Sequence, residues 1–178
     1  MGAIKVHEFI SLDGVAENPT WTAAYGFDPK MGEAIGGMMQ PGAEILLGRK
    51  TYEMFEPAWS ARTAEEDPGA PFFNDTLKHV VTSTLTDLTW RNSTLAGPYD
   101  AGTIRKLKDA VPSLYVSGSL TLVRALLADG LVDELHLFTY PVVLGSGLRL
   151  FGDEGATLSL ITSEPYANGV IHLAYGPA

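Results

Sequence analysis

The stretch Leu114-Tyr115-Val116-Ser117-Gly118-Ser119-Leu120-Thr121-Leu122-Val123 decides the fold. Leu114–Ser117 is a short apolar run stopped by a glycine, the pattern of a buried strand. Ser119–Asp129 then carries Leu122, Val123, Leu126 and Leu127 at helical spacing, and Gly130 stands where a left-handed C-terminal cap belongs. A strand turning through one glycine directly into an amphipathic helix is a building block of parallel, helix-covered sheets. The same design recurs about 70 residues earlier in Ile45-Leu46-Leu47-Gly48-Arg49-Lys50-Thr51.

Working outward, strands are expected at Ile4–Leu12, Glu44–Leu47, His79–Thr82, Glu134–Tyr140, Leu158–Thr162 and Val170–Tyr175, with a weaker one at Thr89–Leu95. Helical spacing is read at Pro29–Met39, Thr51–Phe55 and Gly102–Ala110, the last capped by Asp100. The Pro-, Gly- and acid-rich stretch Ser60–Pro71 reads as a surface excursion. Strand and helix alternate through the first two-thirds, and strands alone close the chain. The expected fold is α/β, one domain over 1–178, with a central mixed, mostly parallel sheet flanked by helices and an antiparallel edge.

Composition narrows the function. Twelve Lys and Arg against 21 Asp and Glu leave a net charge of −9 on 178 residues. Such a chain offers no broad surface for nucleic acid or anionic membrane, although local anion sites remain open to it. No apolar run reaches the ~18–20 residues of a membrane span, and the N-terminus lacks the order of a secretion signal, so a cytoplasmic location is expected. The absence of cysteine removes disulfides, thiol nucleophiles and thiolate metal sites. His7, His79, His136 and His172 show no ligand spacing, and no metal site is expected.

The two strand–glycine–helix turns are candidate anion sites. Helix N-termini present free N–H groups and the positive end of a dipole, and ligands in open α/β sheets bind beyond the carboxyl ends of the strands. Gly48 allows close approach, Arg49 and Lys50 bring positive charge, and Thr51 brings a hydroxyl. Ser117, Gly118 and Ser119 form the second turn, and Ser83 follows the third strand at the same expected edge. Together they suit one long ligand with two phosphate groups. Neither turn is a standard dinucleotide or P-loop fingerprint. Asp13-Gly14 is either a β-turn or a carboxylate facing the cleft. Trp21, Tyr25 and Phe27 either stack on a heterocycle or pack on the core, whereas Phe55 and Trp59 read as core and Asp133-Glu134 as a solvated turn.

Three blocks carry a resemblance: Phe9-Ile10-Ser11-Leu12-Asp13-Gly14-Val15-Ala16, Ile45 to Tyr52, and Tyr115 to Phe151 with its Leu131-Val132-Asp133-Glu134-Leu135 and Pro141-Val142-Val143-Leu144-Gly145-Ser146-Gly147. In this order they resemble the dihydrofolate reductase-like superfamily, closest to its riboflavin-biosynthesis reductase branch and stand-alone relatives. The resemblance implies a small-molecule reductase that transfers a hydride from NADPH to a heterocyclic or C=N/C=O centre. It places Arg49, Lys50 and Thr51 on the 2′-phosphate and pyrophosphate, Ser83 near the adenine ribose, and Gly118, Ser119, Leu120 and Thr121 around the pyrophosphate. It puts Asp13, as the catalytic group, and Gly14 beside nicotinamide and substrate. The substrate carboxylate of folate reductases would correspond to Asp28 or Glu33, with Trp21 nearby. A homodimer face on Leu135–Phe138 and the Val142–Leu150 loop is also implied. The alternative reading is a non-catalytic nucleotide-binding or sensor module that keeps the NADPH cleft.

Overall fold

The structure, a computed structural model, describes residues 2–153 and 155–178. Strand β1 (Ala3–Ser11) leads through a 3-10 turn at Pro19–Tyr25 to helix α1 (Pro29–Gly36). Then follow β2 (Ala43–Gly48), α2 (Arg49–Trp59), α3 (Ala70–Asp75), β3 (Lys78–Val81), β4 (Ser93–Gly97) and α4 (Ala101–Ala110). The chain closes with β5 (Ser113–Ser117), α5 (Leu120–Ala128), β6 (Glu134–Tyr140), β7 (Leu158–Pro165) and β8 (Ile171–Pro177).

One eight-stranded sheet runs in the order β4-β3-β2-β5-β1-β6-β8-β7. The pairs from β4 to β6 are parallel, and β8 alone runs the other way, antiparallel to both β6 and β7. The expected mixed, mostly parallel sheet with an antiparallel edge is therefore present. Alternation along each strand splits the core in two. Ile4, Val6, Leu114 and Val116 meet Ile104, Leu122, Val123 and Leu126 of α4 and α5 on one face. Ile45, Leu47, Tyr115 and Phe138 meet Met31, Tyr52 and Phe73 of α1, α2 and α3 on the other.

Local signals hold where they were strongest. The Asp100 side chain accepts from the Thr103 amide at 2.7 Å to cap α4, and Gly130 takes the left-handed φ of 62° after α5. Three readings need correction. Helix α2 continues past Phe55 through Pro57, because Phe55 and Trp59 pack on Phe73, with Trp59 stacked on it at 4.3 Å. Helix α3 starts inside the Ser60–Pro71 stretch, with Pro71 in its first turn, where a missing N–H costs nothing. The strand expected at Thr89–Leu95 lies at Ser93–Gly97, since Trp90 is buried with its backbone N–H on the Tyr52 hydroxyl at 2.9 Å.

Asp133-Glu134 is no solvated turn. The Asp133 carboxylate accepts from the Ile4 amide at 2.7 Å and pairs with Lys108 at 2.6 Å, while Glu134 pairs with Lys5 and His136. Nor is Leu135–Phe138 available as a dimer face: β6 lies between β1 and β8, and Leu135, Leu137 and Phe138 are buried. Among the described residues, no helix is long and apolar enough to cross a membrane.

What the sheet does for function is set by strand lengths. The last β1–β5 pair is His7 with Ser117, yet β1 continues to Ser11 paired only with β6. Beyond His7 the β5 flank of β1 is unpaired, and the ends of β2 and β5 turn away into α2 and α5. The sheet opens there.

Candidate active site

A single cleft of about 1290 Å³ occupies this opening. One end is made by turns. Gly48, Arg49, Lys50 and Thr51 line it from the start of α2, and Ser117 through Thr121 from the start of α5. Thr82, Ser83, Thr84 and Tyr99 complete it from the ends of β3 and β4. The two helix-start turns, far apart in sequence, are pinned together. The Gly48 amide donates to Ser119 Oγ at 2.9 Å, and the Ser119 amide donates to Thr51 Oγ1 at 2.8 Å. Gly118 and Ser119 are successive left-handed residues, φ 63° and 59°, a conformation that Gly tolerates, and left-handed Ser119 then meets the right-handed first turn of α5, the alternation that turns amides into a concave nest. A Cβ at Gly118 would stand 3.4 Å from both Thr51 Cγ2 and Oγ1. Gly48 serves differently from expectation: its φ of −82° is ordinary, and the space above it is filled by Ser119 and Leu122.

The anion-binding inventory at this end is coherent. Two helix N-termini and a nest supply backbone N–H groups, and Arg49 and Lys50 supply charge. Arg49 lies half-exposed against Glu53 at 2.9 Å, one helical turn on. These residues fit an extended dinucleotide carrying phosphates.

The other end is made by side chains. Gly32, Ile35, Gly36 and Met39 line it at helical spacing along and just beyond α1. Met54, Phe55 and Trp59 of α2, Phe73 of α3 and the exposed Phe27 form an apolar lobe with them. Phe55 and Trp59, read from sequence as core, pack against the core and also line the cleft. So does β1, whose His7, Glu8 and Phe9 line the floor beside Tyr115.

His7 and Glu8 are the ionisable groups that sequence reasoning missed, because both sit inside a strand pattern. His7 is 5 % exposed and Glu8 3 %. His7 Nδ1 lies 2.9 Å from the Tyr115 hydroxyl, while His7 Nε2 and Glu8 Oε1 are buried without hydrogen-bond partners. Burial, helped by nearby His136 and His172, pushes the His7 pKa down to about 3. Burial raises Glu8 well above the ordinary carboxylate value, and it raises the Tyr115 hydroxyl likewise. A signal was available: an unpaired Glu between Val6 and Ile10 in an apolar strand asks for an explanation.

Five expected substrate-end residues, Asp13, Gly14, Trp21, Asp28 and Glu33, lie elsewhere. Asp13 does not line the cleft. Its carboxylate accepts from Ser11 Oγ at 2.6 Å, the Leu144 amide at 3.1 Å and the Gly145 amide at 2.8 Å. The Ser11 bond, then the two amides, hold its pKa down to about 2. Arg149 Nε donates to the Asp13 carbonyl at 3.0 Å, so Asp13-Gly14 is a staple for the 142–150 loop, with Gly14 in the left-handed turn at φ 86°. Trp21 packs edge-on against Tyr140 at 5.4 Å, with Tyr25 on the same ring. Asp28 caps α1 through the Lys30 amide and also accepts from the Ala167 amide. Glu33 is exposed, one position round the helix from the cleft-facing Gly32. The α1 wall thus presents glycine and aliphatic side chains where a carboxylate was expected. Among the described residues, no group of three or more His, Asp or Glu side chains gathers to hold a metal ion.

Comparison with known proteins agrees with this architecture. At 25% identity over 176 residues, the chain is similar to the uncharacterized protein YyaP of Bacillus subtilis (strain 168), covering 93% of this chain and 90% of that one. Its fold matches a Shewanella sp. PV-4 protein whose name connects it with riboflavin biosynthesis, with a TM-score of 0.80, 20% identity, and 100% and 99% of the two chains covered. It also matches dihydrofolate reductase from Enterococcus faecalis, complexed with NADP(H), with a TM-score of 0.65, 13% identity, and 98% and 96% covered. The family model of the RibD C-terminal domain matches residues 3–98 and 100–172, so the chain belongs to the RibD C-terminal domain family.

Proposed function

We propose that the protein is an NADPH-dependent reductase acting on a small heterocyclic or C=N/C=O substrate. The observation that carries this reading is one continuous cleft whose two ends differ in chemistry: a phosphate-binding end of turns and an aromatic end of side chains. Its volume of about 1290 Å³ exceeds the roughly 300–1,000 Å³ of a typical single-ligand pocket. A module that only sensed the nucleotide would have no use for the second lobe. The reading no longer leans on Asp13, which is spent on the 142–150 loop.

Bound NADPH supplies a hydride, and the chain's own residues orient and shield it. Gly118 and the first turn of α5 hold phosphate through backbone N–H groups, while the Ser119 amide keeps its bond to Thr51 Oγ1. Arg49 and Lys50 supply the charge that a 2′-phosphate needs. The apolar lobe of Ile35, Met54, Phe55 and Trp59 keeps water from the acceptor side. Relatives whose names tie them to riboflavin biosynthesis or to NADP(H) support the same reading.

Titration with NADPH, followed by tryptophan fluorescence, tests the first half. A dissociation constant on the order of 1 µM, about −8 kcal/mol, is expected. NADPH oxidation against pterins, pyrimidine ribosides and aryl ketones tests the second. No NADPH binding at millimolar concentration would end the proposal.

A further inference from the structure

The floor of the aromatic lobe carries a polar device that the phosphate-binding end does not use. Along β1, His7 has the parity of Phe9 and so faces α1, α2 and α3, whereas Glu8 has the parity of Val6 and Ile10. The His7 ring is held edge-on between Phe9, at 4.7 Å, and Phe138, at 5.2 Å. Tyr115 fixes the remaining freedom through the 2.9 Å contact to Nδ1. With the tyrosine O–H donating to Nδ1, a neutral imidazole carries its proton on Nε2. That Nε2 is buried, lacks a partner and belongs to a residue lining the cleft. A buried donor left unpaired is costly, and an acceptor atom seated in the lobe would satisfy it.

The surroundings narrow what brings that atom. Among the described residues, the only Lys and Arg lining the cleft are Arg49 and Lys50, both at the other end. Arg62, stacked on Trp59 at 4.8 Å, is already paired with Asp67 at 3.5 Å, so an anionic group in the lobe would lose its hydration without a free cation to compensate. A flat apolar ring fits walls made of Phe27, Ile35, Phe55 and Trp59. Asp13, Asp28 and Glu33 lie outside the cleft lining, and of the acids that line it Glu17 accepts from the Leu148 amide at 3.1 Å, Asp67 from the Gly69 amide at 2.8 Å, and Glu8 has the opposite strand parity to His7.

We propose that His7, positioned by Tyr115, donates a hydrogen bond from Nε2–H to the carbonyl oxygen or imine nitrogen of an uncharged aromatic hydride acceptor. The inference rests on the reductase reading and adds the acceptor's class and the group that holds it. Such a bond strengthens as the acceptor atom gains negative charge on hydride addition, which is when it is needed. His7 is the contact residue, and Tyr115 is its positioning residue.

Acetophenone labelled with 13C at its carbonyl is the probe, bound to the full chain and read by infrared spectroscopy, first alone and then with NADP+. The carbonyl band in the wild type is expected below its frequency in hexane. His7→Leu returns it to the hexane position. Tyr115→Phe gives an intermediate, broadened band, because the imidazole proton is no longer fixed on one nitrogen. The anionic analogue 4-acetylbenzoate binds at least tenfold more weakly than acetophenone. Failure of the wild type to bind acetophenone, a wild-type band at the hexane position, or the same lowered band in His7→Leu overturns the proposal. Equal binding of 4-acetylbenzoate overturns the acceptor class. If His7→Leu does not fold, Tyr115→Phe decides, and a band identical to the wild type counts against the pair. NADPH titration of the same proteins separates the two readings. Lost NADPH binding with a shifted band sinks the reductase, and kept binding with an unshifted band sinks His7 alone.

Discussion

The two ends of the cleft are built from different material. The end proposed to bind phosphate is backbone, shaped by left-handed Gly118 and Ser119 and by the first turns of α2 and α5. The aromatic end is side chains from β1, α1, α2 and α3, brought together only by the strand order β2-β5-β1. Backbone sites depend on local sequence and tolerate many side chains. Side-chain sites depend on which face each residue takes and on where neighbouring strands part. The difference predicts that perturbing the first end changes cofactor affinity, and that perturbing the second changes the electrostatics of the interior.

The largest effect is expected at the aromatic end, on lowering pH. His7 titrates near pH 6.5 when the chain is unfolded, but at about 3 when folded. The unfolded state therefore takes up a proton that the folded state refuses. The stability due to neutral His7 is complete above pH 6.5 and falls as pH drops towards 3, by about 3 kcal/mol at pH 4. His172, also lowered, acts in the same direction, while Glu8, raised, acts oppositely as pH rises above the ordinary carboxylate range. Both are unchanged in His7→Gln, which keeps an acceptor for the Tyr115 hydroxyl. Urea unfolding of wild type and variant at pH 7 and pH 4 isolates His7. The variant should gain about 3 kcal/mol on the wild type between the two, and parallel curves would show that His7 is not held neutral.

Next in size is Gly118→Val at the backbone end. A β-branched residue at φ 63° is strained by about 1–3 kcal/mol, and its Cβ stands in contact with Thr51 at 3.4 Å, leaving little room for the two added methyls. Relief requires the loop to move, and with it the Ser119 amide and hydroxyl that tie the two turns. Loss of NADPH binding, with a smaller loss of stability in urea, is the expected pair of results. Unchanged NADPH affinity would mean the nest is not the phosphate site.

This contrast explains what could be read from the chain beforehand. The alternating elements, the Asp100 cap and both glycine turns are local statements, and the structure contains them. That the turns touch was not local: Ser119 meets Gly48 only because β2 and β5 are neighbours. Asp13 was misplaced for the same reason. An Asp-Gly pair after a strand looks alike whether its carboxylate meets a ligand or the amides of Leu144 and Gly145, some 130 residues on. His7 and Glu8 hid inside a strand pattern whose burial is complete only because β6 and α5 cover it. Helix α1 shows the converse, since Gly32 and Gly36 weaken a helix in isolation yet face the cleft in the fold.

The smallest effect is the one that bears most directly on the choice of cofactor. Arg49 is half-exposed and already pairs with Glu53 four residues on, an arrangement worth only about 0.3–0.5 kcal/mol. Removing it in Arg49→Ala should leave stability almost unchanged. Its value lies in switching partners: to reach a 2′-phosphate, the guanidinium must release Glu53, and the exchange in a solvent-exposed setting returns about 1 kcal/mol, or roughly fivefold. NADPH affinity should fall by that factor while NADH affinity, with no 2′-phosphate to lose, stays level. Glu53→Gln should act in reverse, raising NADPH affinity slightly by freeing the same side chain. Equal losses for both nucleotides in Arg49→Ala would assign the 2′-phosphate to Lys50 or to the turn after β3. The backbone end of the cleft would then bind phosphate without Arg49 reading which nucleotide it holds.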